Sequence, residues 1–362
     1  MNPVSVQNRI TVSQARCSVR RGRRRTHTMS FDVKSRGIVT IGSVNVDSFI
    51  CIDRLPSEGE TLSASNLTLR PGGKGANQAA CLGILSLCRS TFIGQLGDDH
   101  QVLLRGALQD CGVDVTFLEC VPGTSTGNAF IFSLPSGENS IVIVGGANLA
   151  WDSPSPKALD AMRGNAILLL QREVPEHVNI IAAEAADAAG MIVILDCGGE
   201  ESPLSERLLS RTHVLSPNET ELERLTEYLG EGASTAARAQ SLISDRNARC
   251  VLVKRGPRGA LFVNRDGSFI EQPAFPLSPR DIVDTTGAGD CFTAAFSAAL
   301  FKCGQHLDNE RAVRACMTFA CAAASVCVQR PGAMPSMPTL DETVHVLEAW
   351  GKKDSCDMII ST

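Results

Sequence analysis

Asp284-Thr285-Thr286-Gly287-Ala288-Gly289-Asp290 opens onto a long run of small and apolar residues that begins Cys291-Phe292-Thr293-Ala294-Ala295-Phe296. Gly287 and Gly289 lack the Cβ atoms that would keep a backbone from curling tightly around an anion, and the helix that follows is expected to begin near Asp290. Its first N–H groups are then unpaired at the positive end of a helix dipole, which attracts phosphate without any lysine. A carboxylate set there would repel the same phosphate, unless it serves as a general base for a hydroxyl that attacks phosphorus. Aspartate is also a favoured N-cap, and Gly-x-Gly ends many ordinary loops. This stretch alone therefore leaves a structural and a catalytic Asp290 both open. The dinucleotide fingerprint is not met, because Phe292 stands where its third glycine belongs.

The 362-residue chain is 43% hydrophobic and only 4% aromatic, enough for a full core built of aliphatic and alanine side chains. Its formal net charge is −5, and residues 1 to 28 hold seven arginines and no acid, so the remainder is more acidic still. Such a body is unsuited to nucleic acid, and no run of 18 apolar residues points to a membrane span. The 14 cysteines include no C-x-x-C pair and lie in apolar runs, as reduced thiols of an intracellular protein would. The six histidines are scattered, without the H-x-x-x-H spacing of a zinc site.

Residues 1 to 36 read as a disordered basic leader, and residues 1 to 28 also have the Arg-rich, acid-free character of a transit peptide. Residues 37 to 350 read as one α/β unit and 351 to 362 as a tail. Ile38 to Ile41 is a buried-strand run, after which Asn45 and Asp47 fall on one face at period two. They can enter one site or simply be solvated at a strand end. Ser48 to Leu55 and Thr61 to Leu69 are strand-like. Asn128 to Leu134 and Ile141 to Val144, joined by Pro135-Ser136-Gly137-Glu138, read as a hairpin. Together they predict a small inserted sheet over about 48–70 and 126–145, a candidate lid.

Between these strands, Pro71-Gly72-Gly73-Lys74-Gly75-Ala76-Asn77-Gln78 leads into a predicted helix over Ala79 to Cys88. Its glycines suit close approach to a ligand, or a helix cap. Asp98 and Asp99, after a strand over Thr91 to Gln95, read as caps of the next helix. Beyond Trp151, strands at Ile167 to Leu170, Met191 to Leu195, His213 to Leu215, Val251 to Val253 and Ala260 to Val263 alternate with helices near 176–189, 203–210, 218–229 and 233–246. That rhythm predicts a mostly parallel sheet with helices on both faces. Ligands in such sheets lie beyond the carboxyl ends of strands, where Gln171 to Glu173, Asp196, Asn218, Arg255-Gly256 and Asp290 fall. Asn218 and Glu221 have the spacing of a capping box, and hard oxygens there also suit a Mg²⁺–water site. A buried helix over Asn309 to Val328 and an amphipathic one over Leu340 to Trp350 close the unit.

Five motifs, in order, make the stretch from about Gly37 to Trp350 resemble the PfkB-type carbohydrate kinase family. They are Gly42-Ser43-Val44-Asn45-Val46-Asp47, Gly72-Gly73-Lys74-Gly75-Ala76-Asn77-Gln78-Ala79, Gln171-Arg172-Glu173-Val174-Pro175, Pro217-Asn218-Glu219-Thr220-Glu221 and Asp284 to Asp290. The Gly-Gly-Lys-Gly-Ala-Asn-Gln form is typical of that family's ribokinases. The resemblance implies a Rossmann-like, mostly parallel sheet flanked by helices, with a small inserted β-sheet lid that also forms a homodimer interface. It implies ATP-dependent phosphorylation of D-ribose at O5; the expected compartment is the cytoplasm, with import through residues 1 to 28 left open. Another sugar, or a nucleoside, is the alternative acceptor; a silent sugar or nucleotide sensor is the non-enzymatic alternative.

By the same resemblance Asn45, Asp47, Gly73, Lys74, Gly75, Asn77 and Glu173 hold the sugar. Asp290 is the base on the primary hydroxyl, and Gly287, Ala288 and Gly289 form the anion hole. Asn218, Arg255, Gly256, Pro257, Arg258, Gly259, Gly289 and Cys321 line the nucleotide, and Asn218 and Glu221 order Mg²⁺ through water. Asp284, Thr286, Cys327, Arg330, Gly332 and Ser336 match the family's monovalent-cation loop, usually K⁺. Cys321 stands where many relatives carry a polar residue near adenine, which leaves the base preference open.

Overall fold

The computed structural model describes residues 36–135 and 139–360. The predicted leader, apart from Arg36, and most of the 135–138 turn lie outside the described residues. The chain runs β1 (Gly37–Ile41), β2 (Asn45–Cys51), β3 (Asn66–Gly72), α1 (Lys74–Leu85), β4 (Arg89–Leu96), α2 (Gln101–Asp110), β5 (Asp114–Cys120), β6 (Gly127–Ser133) and β7 (Asn139–Val144). It continues α3 (Pro156–Met162), β8 (Ile167–Arg172), α4 (Glu176–Ala188), β9 (Ile192–Gly199), α5 (Glu206–Leu209), β10 (Val214–Ser216), α6 (Glu219–Leu225) and α7 (Thr235–Ser244). It ends β11 (Cys250–Lys254), β12 (Ala260–Val263), β13 (Phe269–Gln272), α8 (Ala288–Lys302), α9 (Glu310–Cys327), α10 (Leu340–Ala349) and α11 (Lys353–Ile360).

Nine strands form the main sheet in the order β13-β12-β11-β10-β9-β8-β1-β4-β5. All neighbours are parallel except β11 with β12 and β12 with β13. Every residue of β1 and β8 is buried, as continuous apolar strands covered on both faces must be. One face carries α1, α8 and α9, packed through Ala, Cys and Phe side chains such as Phe292, Phe296 and Phe319. The other face packs against α4 and α7 through Val178, Ala182, Ala239 and Leu242. The chain leaves β1 toward β4 and β5, then returns to β8 on the other flank of β1. That reversal opens a crevice beyond the carboxyl ends of β1 and β8.

The lid sheet has the order β3-β2-β6-β7. Its inner pair, β2 and β6, is parallel and the outer pairs are antiparallel. Strands β2 and β6 start side by side, Asn45 paired with Gly127, while β3 ends beside them at Gly72, which pairs with Asn45.

Several local expectations are corrected. Asp98 and Asp99 do not cap α2, which starts at Gln101 behind a left-handed His100 with no side-chain cap. Asp98 Oδ2 accepts the Gly123 N–H at 2.6 Å and Asp99 Oδ1 the Thr126 N–H at 2.7 Å, so both acids tie down the crossing from β5 to β6. Helix α1 begins at Lys74, five residues before the predicted start, because the glycine turn ends there. Strands β5 and β13 carry no strong apolar signal, since both are edges that bury only two residues each. The stretch read as a tail is largely helical: α11 buries Cys356 and Ile359 against the core.

Candidate active site

Asp290 is the third residue of α8, behind Gly287 with φ 79°. A Cβ on Gly287 would stand 2.8 Å from the Ala333 Cα, so only glycine lets this turn pack there. The Ala288 N–H bends back to Thr285 O at 3.2 Å, while the N–H groups of Gly289 and Asp290 have no acceptor among the described residues. These two donors face an open loop; Gly289 is exposed and the Asp290 side chain lies just beneath, in a residue 6% exposed.

That carboxylate sits among polar groups. Its Oδ2 accepts from Asn77 Nδ2 at 3.0 Å and its Oδ1 from Gln78 Nε2 at 3.3 Å. Both amides stand in the first turns of α1, so one helix end steers a residue on another. The Lys74 ammonium is held well above the usual lysine range, first by Asp290 and then by Asp196, Glu173 and Glu221, against the opposing effect of burial. Burial pushes the Asp290 carboxyl up, and Lys74 only partly offsets it.

On the lid side, Asp47 of β2 lies over the backbone of its neighbour β3: a Cβ on Gly72 would fall 2.2 Å from Asp47 Oδ2. Burial, then Glu173 and Asp290, raises the Asp47 carboxyl to about 7, against the pull of Arg70. Glu173, just past β8, accepts the Ser43 hydroxyl at 2.6 Å and the Lys74 N–H at 3.0 Å, which satisfies the first turn of α1. Asn45 Oδ1 accepts from Asn148 Nδ2 at 2.7 Å. The structure thus gathers Asn45, Asp47, Lys74, Asn77, Glu173 and Asp290, drawn from β2, α1, α8 and the end of β8, around one crevice. Three carboxylates and one ammonium facing a polar cleft can grip several hydroxyls and draw a proton from one of them.

Residues 35–340 match the pfkB family of carbohydrate kinases. The chain belongs to that family. Among its relatives, a ribokinase of Arabidopsis thaliana is 43% identical over 88% of this chain and 82% of its own. A deoxyribokinase of Salmonella typhi is 33% identical over 84% of this chain and 96% of its own. The solved structure of Arabidopsis thaliana ribokinase complexed with ribose and ATP superposes with a TM-score of 0.79 at 41% identity, covering 87% of this chain and 99% of that one.

In this PfkB-family kinase the other predicted positions fall in two groups. Asn218 and Glu221 form the capping box that their spacing allows: Asn218 Oδ1 accepts the Glu221 N–H at 2.8 Å, and Glu221 Oε2 accepts the Asn218 N–H at 2.8 Å. Glu221 nevertheless fronts the crevice, since a Cβ on Gly198 would lie 2.9 Å from its Oε1 and 2.7 Å from Lys74 Nζ. Gly256, Pro257 and Arg258 form an exposed turn after β11, with Arg258 paired to Glu219 and Arg255 to Glu271 at 2.8 Å. Cys321 is buried near Arg255, and burial pushes its thiol up to about 12.

The second group surrounds Asp284. Its Oδ1 accepts the Thr286 N–H at 2.9 Å and its Oδ2 the Gly332 N–H at 2.7 Å. Burial alone would raise this carboxyl, yet these donors hold it below its ordinary value. The carbonyls of Thr286, Arg330 and Gly332 accept no hydrogen bond among the described residues. Ser336 is fully buried, donating to Ala333 O at 2.7 Å with its oxygen 3.0 Å from Cys327 Sγ.

Sequence reasoning missed five polar residues. Ser43 and Gln78 lay inside quoted motifs but carried no assigned role. Asp196, noted only as a strand end, joins Lys254 Nζ at 2.6 Å and Thr293 Oγ1 at 2.9 Å. Lys254 stands one residue before the assigned turn, and Asn148 lies in a short 3₁₀ turn with no local signal.

Proposed function

We propose that this chain is a ribokinase, transferring the γ-phosphoryl group of ATP to O5 of D-ribose to give D-ribose 5-phosphate and ADP. The observation that carries the reading is the Asn77–Asp290 hydrogen bond, which joins the sugar-side glycine turn to the base at the mouth of α8. Asp47, Asn45, Asn77 and Glu173 accept and donate to the sugar hydroxyls. Asp290 takes the proton of the attacking hydroxyl, and the unpaired N–H groups at the mouth of α8, those of Gly289 and Asp290, receive charge that develops on the transferred phosphoryl. Arg255 to Gly259 and Cys321 border the nucleotide.

The residues fit the ions that the family implies. Glu221 and Asn218 already bond to each other, but two carboxylate lone-pair sites stay open, enough to hold water around Mg²⁺. An ion held there would supply positive charge that neutralises the phosphates of ATP. The three unpaired carbonyls and one carboxylate around Asp284 are hard, weakly charged donors of the kind that suit K⁺, which supplies a fixed positive charge beside the anion hole. A homodimer through the lid belongs to the same reading: Ile141, Val142, Ile143 and Val144 of edge strand β7 are all exposed.

Apart from Cys111, the described cysteines form no disulfide with one another, which fits a reducing compartment such as the cytoplasm. Deoxyribose is the second acceptor to weigh, because the Salmonella typhi relative carries that name. The test is ADP release with ribose, deoxyribose, fructose and adenosine, each with and without K⁺. Ribose is expected to give the highest kcat/KM; a preference for any other acceptor overturns the assignment.

A further inference from the structure

Lys254 ends β11 and is fixed there by its own N–H on Pro217 O at 2.9 Å. Its side chain is 11% exposed and reaches Asp196 Oδ2 at 2.6 Å, a carboxylate that is 1% exposed. A Cβ on Gly289 would stand 3.9 Å from Lys254 Nζ. The ammonium therefore lies at the side of the same first turn of α8 whose Gly289 and Asp290 N–H groups lack acceptors.

Asp196 does not depend on Lys254 alone. Its Oδ2 also accepts from Thr293 Oγ1 at 2.9 Å and Gln78 Nε2 at 3.4 Å, and its Oδ1 from the Gly198 N–H at 3.1 Å. A buried carboxylate with three other donors keeps its hydrogen bonds when a lysine turns away. The ammonium in turn has three donors, of which Asp196 occupies one direction. A polyphosphate at the mouth of α8 would offer it more negative charge than Asp196 does.

We propose that Lys254 is a phosphate-binding residue, parked on Asp196 in the free protein and turned toward the terminal phosphates when nucleotide binds. This rests on the reading of the chain as an ATP-dependent kinase. It adds a mobile cation to an anion hole otherwise made of backbone, and it makes Asp196 a positioning residue. The Asp196–Gln78–Asp290 hydrogen bonds place that lysine and the base on one connected network.

The test is calorimetric titration of the full chain with a non-hydrolysable ATP analogue, with AMP and with ribose. Lys254→Met is expected to weaken the analogue by about 10- to 100-fold, the worth of one lost charge-assisted hydrogen bond, with AMP and ribose within about threefold. Lys254→Arg is expected to recover most of the loss. Removing one partner of a buried pair can impair folding, so Lys254→Met is paired with Lys254→Met/Asp196→Asn, which leaves no uncompensated carboxylate. The double variant is expected to show the same selective loss. An equal loss for AMP and the analogue, or no loss for either, overturns the proposal. Wild-type protein that binds the analogue but phosphorylates no sugar overturns the kinase reading instead, and the same titrations still decide the role of Lys254.

Discussion

Asn77 Nδ2 lies 3.0 Å from Asp290 Oδ2, although 213 residues separate them in the chain. The contact exists because α1 and α8 pack side by side on one face of the sheet, with their first turns opening on the same crevice. Each helix end does part of one task. The turn before α1 brings a donor amide and Lys74; the turn before α8 brings unpaired N–H groups and an acid.

Asp290→Asn removes the proposed base at the mouth of α8, and it keeps the shape and hydrogen-bonding reach of the side chain. Turnover is expected to fall by about 10²- to 10⁴-fold, with ribose affinity changed by no more than a few fold. Steady-state kinetics with calorimetric ribose binding checks this. Near-normal kcat would remove Asp290 from the mechanism.

On the proposed function, Lys74 tunes the working pH of that base. Its ammonium opposes the upward push of burial on Asp290, so its loss raises the Asp290 carboxyl further. Lys74→Met is therefore expected to move the acidic limb of the kcat profile to higher pH, with lower activity at every pH below the plateau. A profile from pH 5 to 9 checks it, and an unmoved limb would show that the titrating group lies elsewhere.

The central architecture was legible because its signals are local. Apolar runs such as Ile38 to Ile41 mark fully buried strands, and glycines at fixed offsets mark the two turns. Edges were not: β5 buries only Val115 and Leu118 and β13 only alternate residues, so their apolar content is diluted. Site residues were legible where a motif concentrates them. Asn148 and Lys254 were not, because each acquires its role from a partner more than 50 residues away, Asn45 in one case and Asp196 in the other. The Asn218–Glu221 spacing shows the converse limit. A capping box and a water-mediated ion site need the same two residues, and both are compatible with the geometry seen.

Asp47 is raised to about 7 by burial and by two neighbouring carboxylates. Hydroxyl donors from a sugar favour its ionised form and lower that value. Ribose binding near pH 6 to 7 is thus expected to release a fraction of a proton, and ribose affinity to improve as pH rises through 7. Calorimetry in buffers of different ionisation enthalpy reads the proton directly. The same shift has a stability consequence. A carboxyl raised above its unfolded value destabilises the fold increasingly from about pH 4 to about pH 7 and by a constant amount above. Asp47→Asn is accordingly expected to raise Tm by a few degrees at pH 8 and by less at pH 5. A gain independent of pH would contradict the burial argument.

The lid makes the last prediction. Strand register aligns Ile143 with Ala129 and Ala129 with Asp47, so Ile143 shares the face of the lid that carries Asp47, while Val142 lies on the other face. Both faces of β7 are apolar at a sheet edge, with Ile143 63% and Val142 54% exposed. A second copy of the lid would cover them and, on the proposed function, would stand beside the sugar. Ile143→Lys/Val142→Lys is expected to halve the particle mass in light scattering. Because both side chains are exposed in a single chain, folding stability is expected to change by no more than about 0.5 kcal/mol per site. KM for ribose is expected to rise more than kcat falls, since the loss is of lid closure over the sugar and not of the base. A wild-type protein that is monomeric at all concentrations, or a variant that stays dimeric, would leave β7 without this partner.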